Sequence, residues 1–187
     1  MPVLETERLR LRALELADAD ALHGVFSDPE VMRYWSDPPH TDRAQTEAMI
    51  ERILSAFERR EILQWGIEHK EVGRLLGTVT LIADGSQPRA ELGYILGREH
   101  WGRGFAGEAQ RRAIDFAFED LGLHRLEADT HPDNAASLRS LERLGFRREG
   151  LLRERWIVAG DVSDSAILGL LASEWRDARD AAATGSV

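Results

Sequence analysis

The sequence contains no cysteine among its 187 residues. This absence excludes disulfide bonds, thiolate metal ligands and cysteine nucleophiles, and it is compatible with a reducing compartment. The sequence also lacks any run approaching the roughly 18 apolar residues that a membrane-spanning helix needs. Its first residues do not show the cationic and then apolar pattern of a secretory signal. We therefore expect a soluble, cytoplasmic protein without a membrane partner.

The sequence also has no excess of positively charged residues. The 24 lysine and arginine residues are outnumbered by 33 aspartate and glutamate residues, which gives a formal net charge of −9. This balance disfavours nucleic acid as a partner, and it is compatible with either a cationic substrate or ordinary solubility. The histidines do not have the spacing of metal ligands, so we expect no metal site.

Hydrophobic patterning continues through residues 1–176 without an internal repeat, and a chain of this length suffices for one core. We expect a single domain over these residues. From Asp177 onward the apolar periodicity is lost, and we expect residues 177–187 to form a disordered tail. Near the start, Arg8, Arg10 and Arg12 alternate with apolar residues, which is typical of the solvated face of a half-buried strand.

A strand, a glycine-rich turn and a helix follow one another between Glu91 and Asp120. The strand covers residues 91–96, the turn residues 101–107, and the helix begins near Glu108. Glycines in the turn let the backbone approach a ligand closely. The start of the helix adds unpaired N–H groups and the positive end of its dipole. Such an arrangement is typical of a phosphate or pyrophosphate site.

The glycine turn also matches a dinucleotide-binding fingerprint. Its pattern is Gly-x-Gly-x-x-Gly, and the acids Glu127 and Asp129 lie about 20 residues further on. However, residues 97–101 separate the strand from the glycines, and fewer than half the residues remain for the strands and helices of a full Rossmann domain. A helix-capping turn without a ligand is the third interpretation of the motif.

The segment after the turn favours a different family. A strand pattern at residues 125–130 is followed by Asn134, by Ser137 three residues on, and by the Leu-Gly-Phe sequence at residues 144–146. Together with the Trp-Gly-Arg-Gly-Phe-Ala turn, these motifs resemble the GNAT acetyltransferase superfamily. They are most similar to its branch that acetylates the N-terminal alanine or serine of ribosomal proteins. The resemblance extends from about Leu4 to Trp175.

The resemblance implies an α/β (α+β) fold. Its mixed, mostly antiparallel sheet would have about seven strands and helices on both faces. The strand patterns before the turn are joined by hairpin-length connections, which independently predicts an antiparallel meander there. Alternation of helix and strand after the turn predicts the mixed part of the sheet.

The resemblance also implies acetyl-CoA as the acetyl donor. Backbone N–H groups of the turn would hold the pyrophosphate, and the turn residues are Trp101, Gly102, Arg103, Gly104, Phe105, Ala106 and Gly107. Trp101 stands where most relatives have arginine or glutamine, a departure that the ribosomal-type branch shares. Backbone groups of the preceding strand would contact the acetyl and pantetheine portions, at Tyr94, Ile95 and Leu96. Asn134 and Ser137 would contact the pantetheine arm and the sulfur.

Family members transfer acetyl directly to an amine, without an acyl-enzyme. Many of them protonate the departing thiolate with a tyrosine, but Leu141 occupies that position here. We expect Ser137 to take this role. Glu91 is the first candidate for the general base, and His124 and His131 flank the following strand as further candidates.

The acceptor amine is open. Tyr34 and Trp35 belong to a loop that overhangs the acceptor site in this family, although packing in the core explains them equally well. A ribosomal or other protein N-terminus is the first expectation. A small amine such as a polyamine, an amino acid or an antibiotic is the alternative, and so is a non-catalytic protein that senses acyl-CoA. A monomer and a homodimer both remain open.

Overall fold

The computed structural model describes residues 1–59, 61–83 and 85–184. Across these residues the chain forms one mixed eight-stranded sheet with helices on both faces, so the expected fold class is confirmed. The strand order is β1-β2-β3-β4-β5-β6-β8-β7. The sheet has one strand more than expected because the short β1 at Leu4–Glu5 pairs with β2 at its outer edge.

The remaining elements follow in chain order. The strands after β1 are β2 (Leu9–Ala13), β3 (Ile62–His69), β4 (Arg74–Ala83), β5 (Arg89–Leu96), β6 (Arg125–Thr130), β7 (Arg147–Val158) and β8 (Asp161–Leu171). The helices are α1 (Ala19–Phe26), α2 (Pro29–Met32), α3 (Arg43–Glu58), α4 (Phe105–Asp115), α5 (Ala135–Arg143) and α6 (Ala172–Thr184). A π-helical segment, Phe116–Asp120, extends α4.

Two apolar layers hold the helices against the sheet. On one face, buried residues of α4, α5 and α6 pack on the strands in the larger layer, which includes Leu92 and Leu126. On the opposite face, α1 and α3 pack on the strands in a smaller layer that includes Ile95. Successive residues of a strand point to opposite faces, so a strand such as β5 contributes to both layers. The central strands are therefore buried on both sides.

Among the described residues, β5 and β6 are the one pair of neighbouring strands that run parallel, and this pair positions the site. β5 and β6 pair over only three residue pairs, which end at Glu91 and Glu127. β5 continues to Leu96 and β6 to Thr130, but the two strands separate after that point. On their outer sides β5 remains paired with β4, and β6 with β8. A gap therefore opens inside the sheet rather than at its edge.

Two expected boundaries were wrong. The helix begins at Phe105 rather than near Glu108, because Gly104 has a left-handed backbone and caps it while Phe105 is buried. The segment from Asp177 is not irregular: α6 runs to Thr184, and its Arg179 forms ion pairs with Asp115 and Glu119. The expected tail extends beyond this helix to residues 185–187, which lie outside the described residues.

Gly77 on β4 is expected to be indispensable for the shape of β5. A Cβ atom at this position would lie 2.0 Å from the carbonyl oxygen of Ile95 and 2.8 Å from the Cα atom of Leu96. Both are backbone atoms, so the strand itself would have to move. We predict that Gly77→Ala lowers the free energy of unfolding by about 3 kcal/mol, measured by urea denaturation.

Gly24→Ala is the matched control for this prediction. Gly24 lies inside α1, and a Cβ there would meet no atom within 4 Å. This variant should stabilise the protein by about 0.5 to 1 kcal/mol, because alanine is the better helix former. Equal effects of the two substitutions would contradict the close approach of β4 to β5.

Candidate active site

A cleft of about 1230 Å³ opens where β5 and β6 separate. Its walls are residues 92–96 of β5, residues 100–102 and 104–108 of the turn and α4, residues 128–130 of β6, and parts of α2 and α5. Thirteen of the expected site residues line it: Tyr34, Trp35, Tyr94, Ile95, Leu96, Trp101, Gly102, Gly104, Phe105, Ala106, Gly107, Asn134 and Ser137. Glu91 and Arg103 do not belong to this wall.

The glycine turn places the start of α4 at the cleft. Gly102 and Gly104 have positive φ angles of 73° and 80°, which L-amino acids with side chains rarely adopt. Gly104 is the N-cap residue, so the first N–H groups of α4 are unpaired within the helix and lie beside the cleft. Together with the helix dipole, these donors form a site for an anion.

Arg8 fastens this turn from the opposite end of the sequence. Its side chain donates to the carbonyl oxygen of Arg103 at 3.0 Å and lies 4.5 Å from the ring centre of Phe105. Its Nε donates to the Glu108 carboxylate at 2.7 Å, and its backbone N–H donates to the same carboxylate at 2.9 Å. Arg103 was expected among the turn residues that hold the pyrophosphate. In the structure its carbonyl oxygen accepts the bond from Arg8, which holds the turn in place.

The Glu108 carboxylate accepts the hydrogen bonds from Arg8. Burial raises the pKa of its carboxyl group, but hydrogen bonds from Thr6 and Arg8 outweigh this effect and leave the pKa below its ordinary value. A negative charge in the first turn of α4 also interacts favourably with the helix dipole. No local pattern predicted this role, since Arg8 alternates with apolar residues in the same way as Arg10 and Arg12.

Trp101 links the turn to the end of β5. Its indole Nε1 donates to the carbonyl oxygen of Leu96 at 2.9 Å, while about half of the residue remains exposed. Past Glu91, no described strand pairs with the edge of β5 that faces β6. The Trp101 bond therefore uses the carbonyl at the end of this edge and leaves the main-chain groups of Tyr94 beside the cleft. The Ile95 carbonyl, in contrast, is directed at Gly77 of β4, so the expected backbone contact from Ile95 is not on this edge.

Asn134 and Ser137 meet at the start of α5. The Asn134 side-chain oxygen accepts a bond from the Ser137 backbone N–H at 3.1 Å, so Asn134 is the N-cap of this helix. Within the described residues the Ser137 hydroxyl has no hydrogen-bond partner, and it is half-buried in the cleft wall. Leu141, one turn further on, is buried and offers no proton.

The loop near α2 closes the other end of the cleft. The Tyr34 ring lies 5.0 Å from the His131 ring, measured between centroids, and thereby spans the cleft mouth. Trp35 lines the cleft and also makes an edge contact with Phe26, at a centroid distance of 6.0 Å. The two interpretations of Trp35 as pocket and core residue are therefore compatible.

Glu91 lies at the last residue pair before the strands separate, directly opposite Glu127. Burial raises the pKa of its carboxyl group, and the negative charge of Asp129 adds to this effect. Asp129 lines the cleft two residues further along β6, a position that the sequence analysis did not assign to this site. Its carboxylate accepts bonds from the Ser165 hydroxyl and, at 3.2 Å, from the Trp156 indole.

The two histidines differ in position. His124 precedes β6 at the end where β6 is paired with β5, away from the gap. His131 follows β6 at the gap, but its Nδ1 accepts a bond from the Asp133 backbone N–H at 3.1 Å. In the neutral ring the proton is therefore on Nε2, so this nitrogen cannot accept a proton from an amine.

Neither a metal site nor a membrane span is found in residues 1–59, 61–83 and 85–184. No three histidine, aspartate or glutamate side chains in these ranges come together as metal ligands would. None of the helices there combines the length and the apolar character needed to cross a bilayer.

Comparison with known families agrees with this geometry. The family model described as an acetyltransferase (GNAT) domain matches residues 8–147, which is most of the chain. The protein therefore belongs to the GNAT acetyltransferases. It is an N-acetyltransferase enzyme, and acetyl-CoA is its acetyl donor.

The alignments with individual relatives cover nearly the whole chain. The protein is 42% identical to the uncharacterized N-acetyltransferase p20 of Bacillus licheniformis over 176 residues, which cover 94% of this chain and 99% of that protein. It is 30% identical to the spermidine N(1)-acetyltransferase of Vibrio cholerae over 170 residues, or 90% of this chain and 95% of that protein.

Solved structures show the same fold. A GCN5-related N-acetyltransferase from Brucella melitensis has a TM-score of 0.83 at 28% identity, over 94% of this chain and 80% of that chain. The ribosomal-protein-S5-alanine acetyltransferase from Vibrio fischeri has a TM-score of 0.79 at 21% identity, over 94% and 99%. At the latter identity the likeness concerns the fold alone.

The raised pKa of Glu91 predicts a pH-dependent effect on stability. Because the pKa in the folded state exceeds the ordinary value of 4.5, ionisation of Glu91 opposes folding once the pH rises above that value. Glu91→Gln should therefore stabilise the protein at pH 7, and the gain should shrink as the pH falls toward 4.5. Urea unfolding at several pH values measures this difference.

Glu127→Gln provides the control on the facing strand. The Glu127 carboxylate is bound by Arg125 at 2.9 Å, so its removal breaks an ion pair rather than relieving a buried charge. This variant should give no stabilisation at pH 7. A gain from Glu91→Gln that is the same at pH 7 and pH 4 would contradict the pKa assignment.

Proposed function

We propose that the protein transfers acetyl from acetyl-CoA directly to the N-terminal amine of a protein, as the ribosomal-type branch does. The observation that carries this proposal is the single cleft that joins the glycine turn, the gap between β5 and β6, and the loop with Tyr34 and Trp35. An acyl donor on the turn side and an amine on the loop side would meet at the gap.

On the donor side, the unpaired N–H groups after Gly104 bind the pyrophosphate of acetyl-CoA. The free edge of β5 at Tyr94 offers a main-chain donor and acceptor to the pantetheine and to the acetyl carbonyl. Asn134 fixes the start of α5, and its amide N–H₂ group is available to the pantetheine arm. A donor that polarises the thioester carbonyl favours the transition state, because negative charge develops on that oxygen.

Ser137 stabilises the leaving thiolate in this proposal. Its hydroxyl is half-buried, lines the cleft and has no hydrogen-bond partner in the part of the chain that the structure describes. Leu141 supplies no hydroxyl from the neighbouring turn, and the Ser140 hydroxyl is nearly buried and bound by Gln110. Ser137 is therefore the better-exposed hydroxyl on this face of α5. Its contribution arises only as the sulfur gains negative charge, which raises turnover without tightening ground-state binding.

Glu91 accepts the proton of the amine. An ammonium group must lose a proton before its nitrogen can attack, and a carboxylate with a raised pKa holds that proton more readily. Since Glu91 does not itself belong to the cleft wall, it acts through a water molecule at the point where the strands separate. Tyr34 and Trp35 form the wall of the cleft on the side where the acceptor amine enters.

A polyamine acceptor is the second candidate, and one finding favours it. The relative from Vibrio cholerae at 30% identity is a spermidine N(1)-acetyltransferase. Asp129 and Glu30 also line the cleft, and carboxylates would attract a cationic amine of either kind. A protein N-terminus remains our first proposal, because Trp101 and Ser137 are features that this chain shares with the ribosomal-type branch. We place the reaction in the cytoplasm on composition alone.

An acceptor screen tests the proposed function. Peptides that begin with alanine or serine, and spermidine, are incubated with the enzyme and acetyl-CoA, and the released thiol is measured with a thiol reagent. The protein has no cysteine, so it contributes no background. We expect the peptides to be acetylated. Acetylation of spermidine alone would replace the proposed acceptor with a polyamine.

Thermal unfolding separates donor binding from turnover. Acetyl-CoA at about 100 times its Kd should stabilise the protein by about 2.7 kcal/mol, whereas NAD should leave the midpoint unchanged. Binding of acetyl-CoA without transfer to any acceptor would support a sensing role instead.

Ser137→Ala should lower kcat about hundredfold while the Kd for acetyl-CoA changes little, because the hydroxyl acts only as the thiolate forms. Steady-state kinetics and calorimetric titration measure the two quantities. Ser137→Thr retains a hydroxyl and should keep more of the turnover. Unchanged kcat in the alanine variant would rule out the role of Ser137.

A further inference from the structure

Strand β7 departs from regular pairing near its middle. Residues 153–155 of β7 stand opposite Asp164 of β8 alone, so this segment is a β-bulge. Glu154, at its centre, has a φ angle of 52°, which residues with a side chain seldom adopt. Its backbone N–H donates to the Asp164 carboxylate at 2.9 Å and thereby fixes the bulge. Bulges and strained backbone positions are frequent next to active sites, where they change the direction of a side chain.

Two side chains at the end of this bulge are directed at Asp129 on β6. The Nε atom of Arg155 lies 3.6 Å from an Asp129 carboxylate oxygen. The Trp156 indole donates to the same carboxylate at 3.2 Å, and the Arg155 guanidinium lies 5.7 Å from the centre of the Trp156 ring. The Ser165 hydroxyl of β8 donates to Asp129 as well. Asp129 is therefore held from two strands, and one guanidinium offsets its charge.

Asp129 and Glu91 lie on the same face of the sheet. Glu91 pairs with Glu127, and side chains two residues apart on a strand point to one side, so Asp129 shares the face of both. On β5 the residue two places beyond Glu91 is Gly93, which lines the cleft. A Cβ atom at Gly93 would meet no atom closer than 4.0 Å. The face therefore has open space where an amine could lie beside Asp129.

This face is the one from which the acceptor amine would enter. Ile95, two residues beyond Gly93 on β5, belongs to the smaller apolar layer, and Trp35 packs against that layer. The loop with Trp35 and the two carboxylates thus lie on one side of the sheet. Because Asp129 lines the cleft and Glu91 does not, an ammonium group on its way to Glu91 meets Asp129 first.

Most of the negative charge beside the gap is already offset. Glu127 is bound by Arg125 at 2.9 Å, and Asp129 is paired with Arg155. Glu91 is the remaining carboxylate at this point, and it forms no ion pair with any residue that the structure describes. The gap therefore presents the uncompensated charge of about one carboxylate to the acceptor.

We propose that Arg155 is a specificity-determining residue: by pairing with Asp129 it shifts the preference of the enzyme toward an acceptor with a single ammonium group and away from a polyamine. The inference rests on the proposed function, because it concerns the acceptor side of the same cleft. A polyamine carries a second cationic nitrogen a few carbons from the reacting one, so it gains more from an additional free carboxylate. Glu30 and Arg33, which line the cleft near the loop, have opposite charges and supply no such excess.

Arg155 acts through Asp129, since it does not itself line the cleft. Its guanidinium can be removed without releasing the carboxylate, because Trp156 and Ser165 still bind Asp129. Half of the Arg155 side chain is exposed, so its replacement leaves no cavity in the core. A neutral residue at this position therefore changes the charge beside the gap while the shape of the site is retained.

Calorimetric titration with two acceptors tests this proposal. The protein is saturated with coenzyme A, which has no acetyl group to transfer. It is then titrated with spermidine, or with a peptide that begins with alanine and contains no lysine or arginine. Arg155→Gln should lower the Kd for spermidine about fivefold and the Kd for the peptide about twofold or less. Added salt should reduce the difference, because it screens exposed charges.

Two further variants separate charge from structure. Arg155→Lys keeps the positive charge and should bind both acceptors as the unmodified protein does. Arg153→Gln removes one positive charge from the same bulge, but Arg153 is exposed, forms no ion pair among the described residues and does not line the cleft. This control should leave both Kd values unchanged, and it accounts for non-specific attraction of spermidine to a protein with a net charge of −9.

Two results would overturn the proposal. One is an unchanged Kd for spermidine in Arg155→Gln, and the other is an equal change in Arg153→Gln. Arg155→Gln combined with Asp129→Asn should bind spermidine no more tightly than the unmodified protein, and tighter binding would also contradict the role of the pair. Failure of the proposed function has a different sign, which is the absence of peptide acetylation in the acceptor screen, whereas these titrations require no turnover.

Discussion

The early separation of β5 and β6 is the constraint on which the site depends. Three residue pairs are enough to fix the two strands in one sheet, and the outer partners β4 and β8 keep each strand in place beyond that point. Main-chain groups inside a sheet are normally consumed by the neighbouring strand. Here they stay available in the interior of the protein, where a ligand can use them without competing with a sheet partner.

Rigid elements supply the rest of the site from several directions. The glycine turn is bound on one side by Arg8 and on the other by the indole of Trp101. α4 and α5 are joined through Gln110 and Ser140. Binding groups held by packed helices and strands lose little conformational freedom when a ligand arrives, and this preorganisation favours both affinity and turnover.

The sequence predicted what is encoded locally. The turn, the position of Asn134 and Ser137, and the alternation of strands and helices are short patterns, and thirteen expected residues lie in one cleft. Contacts between distant segments had no such signal. Arg8 resembled a solvated residue because its partner, Glu108, is a hundred residues away. Similarly, α4 and α5 are joined by the buried bond between Gln110 and Ser140, which are 30 residues apart in the sequence. The start of α4 was misplaced because Phe105 is buried directly after a turn, and α6 was missed because its ion pairs reach back to α4.

The bond between Arg8 and Glu108 also constrains the order of events in folding. Contacts between residues so far apart close a long loop, and the entropic cost of that closure is met only when much of the intervening chain is in place. The local conformation of the glycine turn can form early, whereas its fastening to the first strands belongs to a late step. A folding chain would therefore form its sheet and helices before the glycine turn becomes rigid enough to bind the donor.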